Sequence, residues 1–297
     1  MSPAMSDTAG GARPVASRPA PEGLFKRQLA GILRLELRRS LLGRRALGLY
    51  FLAFAPVLLI ALWAATPLPQ KLYEGPAQTA NQIAILFQFY LRFSIYLSAL
   101  LMFMSLFRNE LLERSLHYYF LTPVRREVLV AGKYLAALFS AWIAFFIGTV
   151  ALYLLSCVPW GLGELGRYLF RGPGLANLTA YVVTALLAVA GYGAVFMLVG
   201  QYFKNPVIPG LVIWGWELIN PLLPATLKKV SVVFYLQSFY PVPPPESASG
   251  WLFELFRVLA EPPPAWASVL GLIVFTGLVI LAAGWRARNM EVVYGDD

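Results

Sequence analysis

Two ionisable residues stand where the chain is otherwise too apolar to tolerate them. Arg92 lies in "QFYLRFSIYLSALL" and Glu217 in "LVIWGWELINPLL". A charge at the centre of a membrane-spanning helix costs about 2.5–3.5 kcal/mol on insertion scales, so neither belongs against lipid. Counting at 1.5 Å per helical residue puts both close to mid-bilayer depth. Their opposite signs permit two kinds of chemistry: coupling of an ion or proton to transport, or lining a translocation path. The structural alternatives are that Arg92 snorkels outward and that Glu217 caps a kink at Asn220-Pro221.

Other chemistry is excluded by residue type. His117 is the single histidine and Cys157 the single cysteine, so neither a Cys/His zinc site nor an intrachain disulfide can form. The Gly132-Lys133 pair in "EVLVAGKY" imitates a nucleotide-binding P-loop. That loop needs a glycine five residues before the pair and a Ser or Thr after it, and Glu127 and Tyr134 occupy those places. No HExxH or GxSxG occurs, and the terminal "YGDD" (Tyr294 to Asp297) reads as a solvated end. Asn177 opens an "NLT" glycosylation sequon.

The elements that must position Arg92 and Glu217 follow from composition. Of 297 residues, 59% are hydrophobic and only 13% charged, with a mean hydropathy of +0.65. A soluble surface needs about a quarter charged residues, so the chain reads as an all-α, polytopic membrane protein. Six segments are long and apolar enough to span: about 46–65, 84–106, 134–158, 176–200, 207–227 and 265–285. With the N-terminus inside, 17 Lys and Arg fall on the inner side and six on the outer, with Arg92 in a span. This is the positive-inside pattern, and an even number of spans puts both termini in the cytoplasm. The net charge of +9 therefore implies membrane orientation and not a nucleic-acid partner, since no basic patch is interleaved with aromatics outside the anchors.

Residues 1–22 are rich in Ala, Pro, Ser and Gly, without periodicity or a signal-peptide core, and read as a disordered tail. Residues 23–297 read as one six-span transmembrane domain. Between Leu24 and Arg45 an apolar row, Phe25, Leu29, Leu33, Leu37 and Leu41, is flanked by Lys26, Arg27, Arg34 and Arg38. That pattern predicts an amphipathic helix in the cytoplasmic interface. Between the fifth and sixth spans, residues 228–264 form a long external segment. In it Leu252, Phe253, Leu255, Phe256 and Leu259 predict a short amphipathic helix stopped by Pro262 to Pro264.

The loop at 107–133 is too specific for a passive connector. Glu110 and Glu113 are one turn apart, with Arg114 beside them. Ser115 and an aromatic triplet, Tyr118, Tyr119 and Phe120, follow, then Thr122-Pro123, Arg125-Arg126 and Gly132-Lys133. Thr122 suits a helix N-cap with Pro123 at the first helical position, giving a short cytoplasmic helix that leads into the third span. Aromatic rings beside charges make a docking surface, because ring burial supplies area and charge sets register.

This loop resembles that of ABC-2 type exporter permeases, which carry an acidic residue, a Thr-Leu-like step, Thr-Pro, an arginine and a later Gly-Lys. Glu110, Ser115 with Leu116, Thr122 with Pro123, Arg125 or Arg126, and Gly132 with Lys133 stand at those places. Glu113 is displaced by one position, Arg114 replaces a usual glycine, and the aromatic triplet is bulkier than usual. The resemblance spans residues 24–290, with its specificity in the loop. It implies a six-helix transmembrane bundle with an N-terminal interfacial helix and a cytoplasmic coupling helix. It also implies a second permease copy and a separate ATP-binding subunit that docks on the loop and holds ATP and Mg, with no cofactor in this chain and no enzymatic site of its own. The expected location is the bacterial inner membrane. Two other classes stay open: an ion-coupled secondary carrier using Arg92 and Glu217, though no internal repeat supports it, and an intramembrane enzyme or anchor. The transported substrate is not legible.

Overall fold

The computed structural model describes residues 24–67, 76–112, 126–203, 205, 207–220, 223–241 and 263–288. The 1–22 tail, the heart of the connector at 113–125 and the 252–259 helix lie outside the described residues.

Helix α1 (Leu24–Leu42) stops one residue before α2 (Arg44–Ala64) begins. Gly43 makes the break. Its N–H still donates to the Arg39 carbonyl at 2.9 Å, while its own backbone is extended. A Cβ there would lie 2.3 Å from that carbonyl oxygen, closer than any side-chain carbon can approach. Only glycine closes one helix and opens the next within this space.

The second span is built from α3 (Pro76–Phe89) and α4 (Tyr96–Leu112), joined by a π-helical turn over Tyr90–Ile95. In that wider turn Tyr90, Leu91, Ser94 and Ile95 are all buried, the spacing that i→i+5 geometry places on one face. Helix α5 (Arg126–Cys157) runs without interruption through the third span, and α6 (Leu162–Arg171) leads to α7 (Gly174–Val199). Then come α8 (Val207–Ile219), α9 (Ala225–Lys228), α10 (Val232–Leu236) and α11 (Ala265–Arg288). Every regular element among the described residues is helical.

Five of these helical stretches are long and apolar enough to cross a membrane: Ala46–Ala64, Gln78–Leu106, Val128–Trp160, Gly174–Val199 and Ala265–Arg288. The protein is membrane-embedded. The sequence expectation of a sixth continuous span at 207–227 is corrected. The helix there ends at Ile219, and 13 residues at 1.5 Å each reach about 20 Å, short of the roughly 30 Å hydrocarbon core. The cause is local: the α-helix gives way to 3-10 geometry at Asn220, and Pro221 and Pro224 lack the N–H that would carry an α-helix onward. The second and third spans also begin about six residues earlier than expected.

The chain nevertheless returns across the bundle in this broken region. The α5 Tyr134 hydroxyl reaches the Ala190 carbonyl and Tyr153 reaches Gly174, so α5 and α7 run antiparallel. Tyr202, just past α7, lies under the Arg286 guanidinium at 4.9 Å near the end of α11. Gly191 faces Leu272 in the middle of both helices. Helices α7 and α11 therefore run in the same direction, and the chain between them must travel back. The Ser238–Ser268 hydrogen bond of 2.6 Å marks its arrival near the start of α11. Helix α1 and the end of α11 consequently share one end of the bundle.

Lipid offers no hydrophobic drive for helix association, so packing and interhelical hydrogen bonds must supply it. Buried tyrosines and the half-buried Trp142 do so by donating to main-chain carbonyls of a neighbouring helix: Tyr90 to Ala53 at 3.0 Å, Tyr96 to Gly210 at 2.7 Å, Tyr134 to Ala190 at 2.8 Å and Trp142 to Leu186 at 2.9 Å. Small residues let the backbones approach. At Gly148 a Cβ would lie 2.3 Å from the Tyr90 hydroxyl, and at Gly193 one would meet the Phe103 ring at 2.7 Å. The outer helices are α2 and α11, whose apolar windows are only 17% and 22% enclosed by protein, against 56–61% for the three central spans.

Candidate functional site

Among the described residues Glu36, Lys133, Glu217 and Lys228 are buried and Arg92 is half-buried, and Lys133, Glu217 and Arg92 are each held differently. The first is Lys133, the lysine of the Gly-Lys pair. Arg126 opens α5, and Gly132 and Lys133 lie inside that helix and not on an open loop. Lys133 is 1% exposed and its Nζ is 3.0 Å from Glu36 Oε1, itself 3% exposed. Glu36 is the single acid among seven basic residues between Leu24 and Arg45. Helix α1 thus packs on α5 through Glu36 and Ser40, both buried, while Leu33, Leu37 and Leu41 are only half-buried. The expected leucine face is not the tightest face of this helix. A buried pair of this kind costs several kcal/mol of desolvation per ion and is strongly destabilising to break from one side.

Glu217, on the last turn of α8, is also buried. Its carboxylate accepts from the Ser231 hydroxyl and from the backbone N–H groups of Val232 at 3.1 Å and Val233 at 3.3 Å. Those N–H groups open α10, where they have no partner in their own helix. Ser231 occupies the N-cap position but does not cap. A glutamate from a different helix does that work. The cap expected at the Asn220-Pro221 kink is therefore displaced to the start of α10, and Glu217 holds the two halves of the broken segment together.

Arg92 is the third. It sits in the π-helical turn, equidistant from the two ends of the Gln78–Leu106 span. It is half-buried and takes part in no hydrogen bond or ion pair among the described residues. Glu217, Tyr192 and Tyr240 are near enough to feel its charge. The fold therefore brings together the two ionisable residues singled out in the sequence, but as neighbours and not as a salt bridge. Around them Tyr96 stacks edge-on against Tyr192 at 5.2 Å and donates to Gly210, and Phe93 meets Trp214 at 5.7 Å. These contacts pin α8 against the π turn. The Tyr240 hydroxyl is buried without a partner among the described residues.

Of the connector residues, Glu110 lies in the backbone of α4 near its end. Glu113, Arg114, Ser115, Tyr118, Tyr119, Phe120, Thr122, Pro123 and Arg125 lie outside the described residues. Sequence reasoning passed over Glu36, Ser231 and Tyr240. Only Glu36 carried a signal, as a lone acid in a basic helix. Neither a protein-family model nor a curated protein matches this chain.

Proposed function

We propose that this chain is the membrane-spanning permease subunit of an ABC-2 type exporter, working as a dimer with separate ATP-binding subunits in the bacterial inner membrane. The observation that carries the reading is the connector pattern from Glu110 to Lys133. Its last member, Lys133, is tied to the N-terminal helix by the buried Glu36 pair. A push on the connector reaches α5 along one continuous helix and reaches α1 through that ion pair, so both helices at this end move as a unit. ATP and Mg²⁺ belong to the partner, which docks on Tyr118 to Phe120 and the flanking charges. Both ends of the chain face the same cytoplasm, in keeping with α1 and the end of α11 sharing one end of the bundle.

The carrier reading requires Glu217 to exchange an ion during transport. Its three donors engage both carboxylate oxygens, which favours the structural role.

The test is co-purification in mild detergent from the native host. Wild type retains an ATPase subunit, and a folded variant carrying Glu110→Arg and Tyr119→Asp loses it. A well-folded wild type that brings down no ATPase rules the reading out.

A further inference from the structure

Helix α6 is docked along one side and open along the rest. Gly161, at φ +82°, turns the chain out of the 3-10 turn over Val158–Trp160. At the other end α6 closes tightly on the start of α7: a Cβ on Gly174 would lie 2.8 Å from the Tyr168 ring and 2.9 Å from the Leu169 Cα. The Tyr168 ring meets Trp160 edge-on at 4.7 Å, and its hydroxyl accepts from the Asn177 amide at 3.1 Å. Leu165, Tyr168 and Leu169 pack against the core.

At about 100° per residue, the remaining positions fall into two arcs. Glu164, Arg167 and Arg171 share one, and all three are exposed. Arg167 meets Glu164 at 2.8 Å, an exposed pair of little energetic weight, and Arg171 makes no ion pair among the described residues. Gly163, Gly166 and Phe170 share the other arc. A Cβ at either glycine would meet nothing within 4 Å, and Phe170 is 77% exposed.

A lone exposed phenylalanine needs no explanation on a soluble protein. This one stands at the ends of two spans. Helix α6 follows α5, whose opposite end carries Lys133 beside α1, so α6 lies at the end of the bundle away from α1. On either side of it, exposed Val158 and Leu175 belong to the last residues of one span and the first of the next. Phe170 continues that apolar rim. A short helix with an apolar arc next to a charged one is the pattern that settles at a membrane surface. There an arginine can lay its stem over apolar surface and hold its head at phosphate level.

We propose that α6 lies in the membrane interface, with Phe170 seated at the headgroup–acyl boundary and Arg171 on a lipid phosphate. The inference rests on the membrane-embedded fold and is independent of the exporter reading.

Spin labelling of the full chain in phosphatidylcholine–phosphatidylglycerol nanodiscs tests it. Cys157 is the single cysteine and is buried, so a nitroxide reports on a cysteine introduced at the surface, with the unaltered chain as the blank. Collisions with oxygen, which concentrates among acyl chains, are compared with those of a water-soluble nickel chelate. The label at Phe170→Cys should sit about 5–10 Å into the headgroup–acyl boundary, and the label at Glu164→Cys should be on the water side. If Phe170→Cys does not fold, Gly166→Cys on the same arc gives the same reading. Equal nickel access on the two arcs would place α6 in water and overturn the proposal. A label at 170 shielded from both reagents and broadened by a second spin would mean that another copy of the chain covers this arc, which also overturns it. Adding Arg171→Gln should shift the 170 label towards water, and unchanged depth would overturn the phosphate contact.

Discussion

Lys133 and Arg92 both carry a positive charge into the helical bundle, one near the start of α5 and the other halfway along the second span. Lys133 is almost fully enclosed and meets Glu36 at 3.0 Å. Arg92 is half-buried, makes no ion pair among the described residues, and has beside it a glutamate already engaged by α10. The enclosed cation loses more hydration than the half-buried one, and only the enclosed one has a counter-charge within ion-pair distance among the described residues. Where the counter-charge is built in, removing either member strands the other.

The comparison breaks most visibly at the paired site. Glu36→Ala and Lys133→Ala should each lower stability by about 3–5 kcal/mol, read as a large drop in the melting temperature of the detergent-solubilised protein. Glu36→Leu combined with Lys133→Met should recover most of that loss, because an apolar pair leaves no stranded charge. Single variants that melt with the wild type would make the pair incidental.

Glu217→Ala should cost about 2–3 kcal/mol, since it orphans a hydroxyl and two main-chain N–H groups at once. Hydrogen exchange should quicken at Val232 and Val233 specifically, and Glu217→Gln, which keeps an acceptor, should restore part of the protection. Uniform quickening across the bundle would contradict a local capping role.

Tyr96→Phe should cost about 1 kcal/mol through the lost bond to the Gly210 carbonyl. Crosslinking between α4 and α8 should weaken with it. The smallest effect belongs to Arg92: Arg92→Gln should change stability by no more than about 0.5 kcal/mol, because it removes no hydrogen bond or ion pair among the described residues. A loss as large as that of Lys133→Ala would mean that Arg92 has a partner inside the protein, and the contrast between the two cations would vanish.

Much of the framework was legible from hydropathy alone. Ala46–Ala64, Gly174–Val199 and Ala265–Arg288 lie close to the spans expected, because a run of about 20 apolar residues has few alternatives to crossing a membrane. The 207–227 segment misled for the same reason. Hydropathy sums side chains and is blind to whether the backbone can stay helical through Pro221 and Pro224. Of the candidate site, Arg92 and Glu217 announced themselves by their charge in apolar surroundings. Ser231 and Tyr240 gave no such warning, being ordinary polar residues in a polar-to-apolar transition.

The sequence by itself determined a helical, membrane-embedded chain and the approximate places of five spanning helices. Each of these follows from residue type or near-neighbour spacing. Only the tertiary structure decided that Glu36 reaches Lys133, 97 residues away, that Glu217 caps a helix 15 residues further on, and that Arg92 makes no ion pair among the described residues. Those outcomes depend on which helix faces meet, and lipid-exposed and protein-facing apolar residues look alike in sequence. A charge shows in sequence that a partner is needed, but packing alone determines whether one is there.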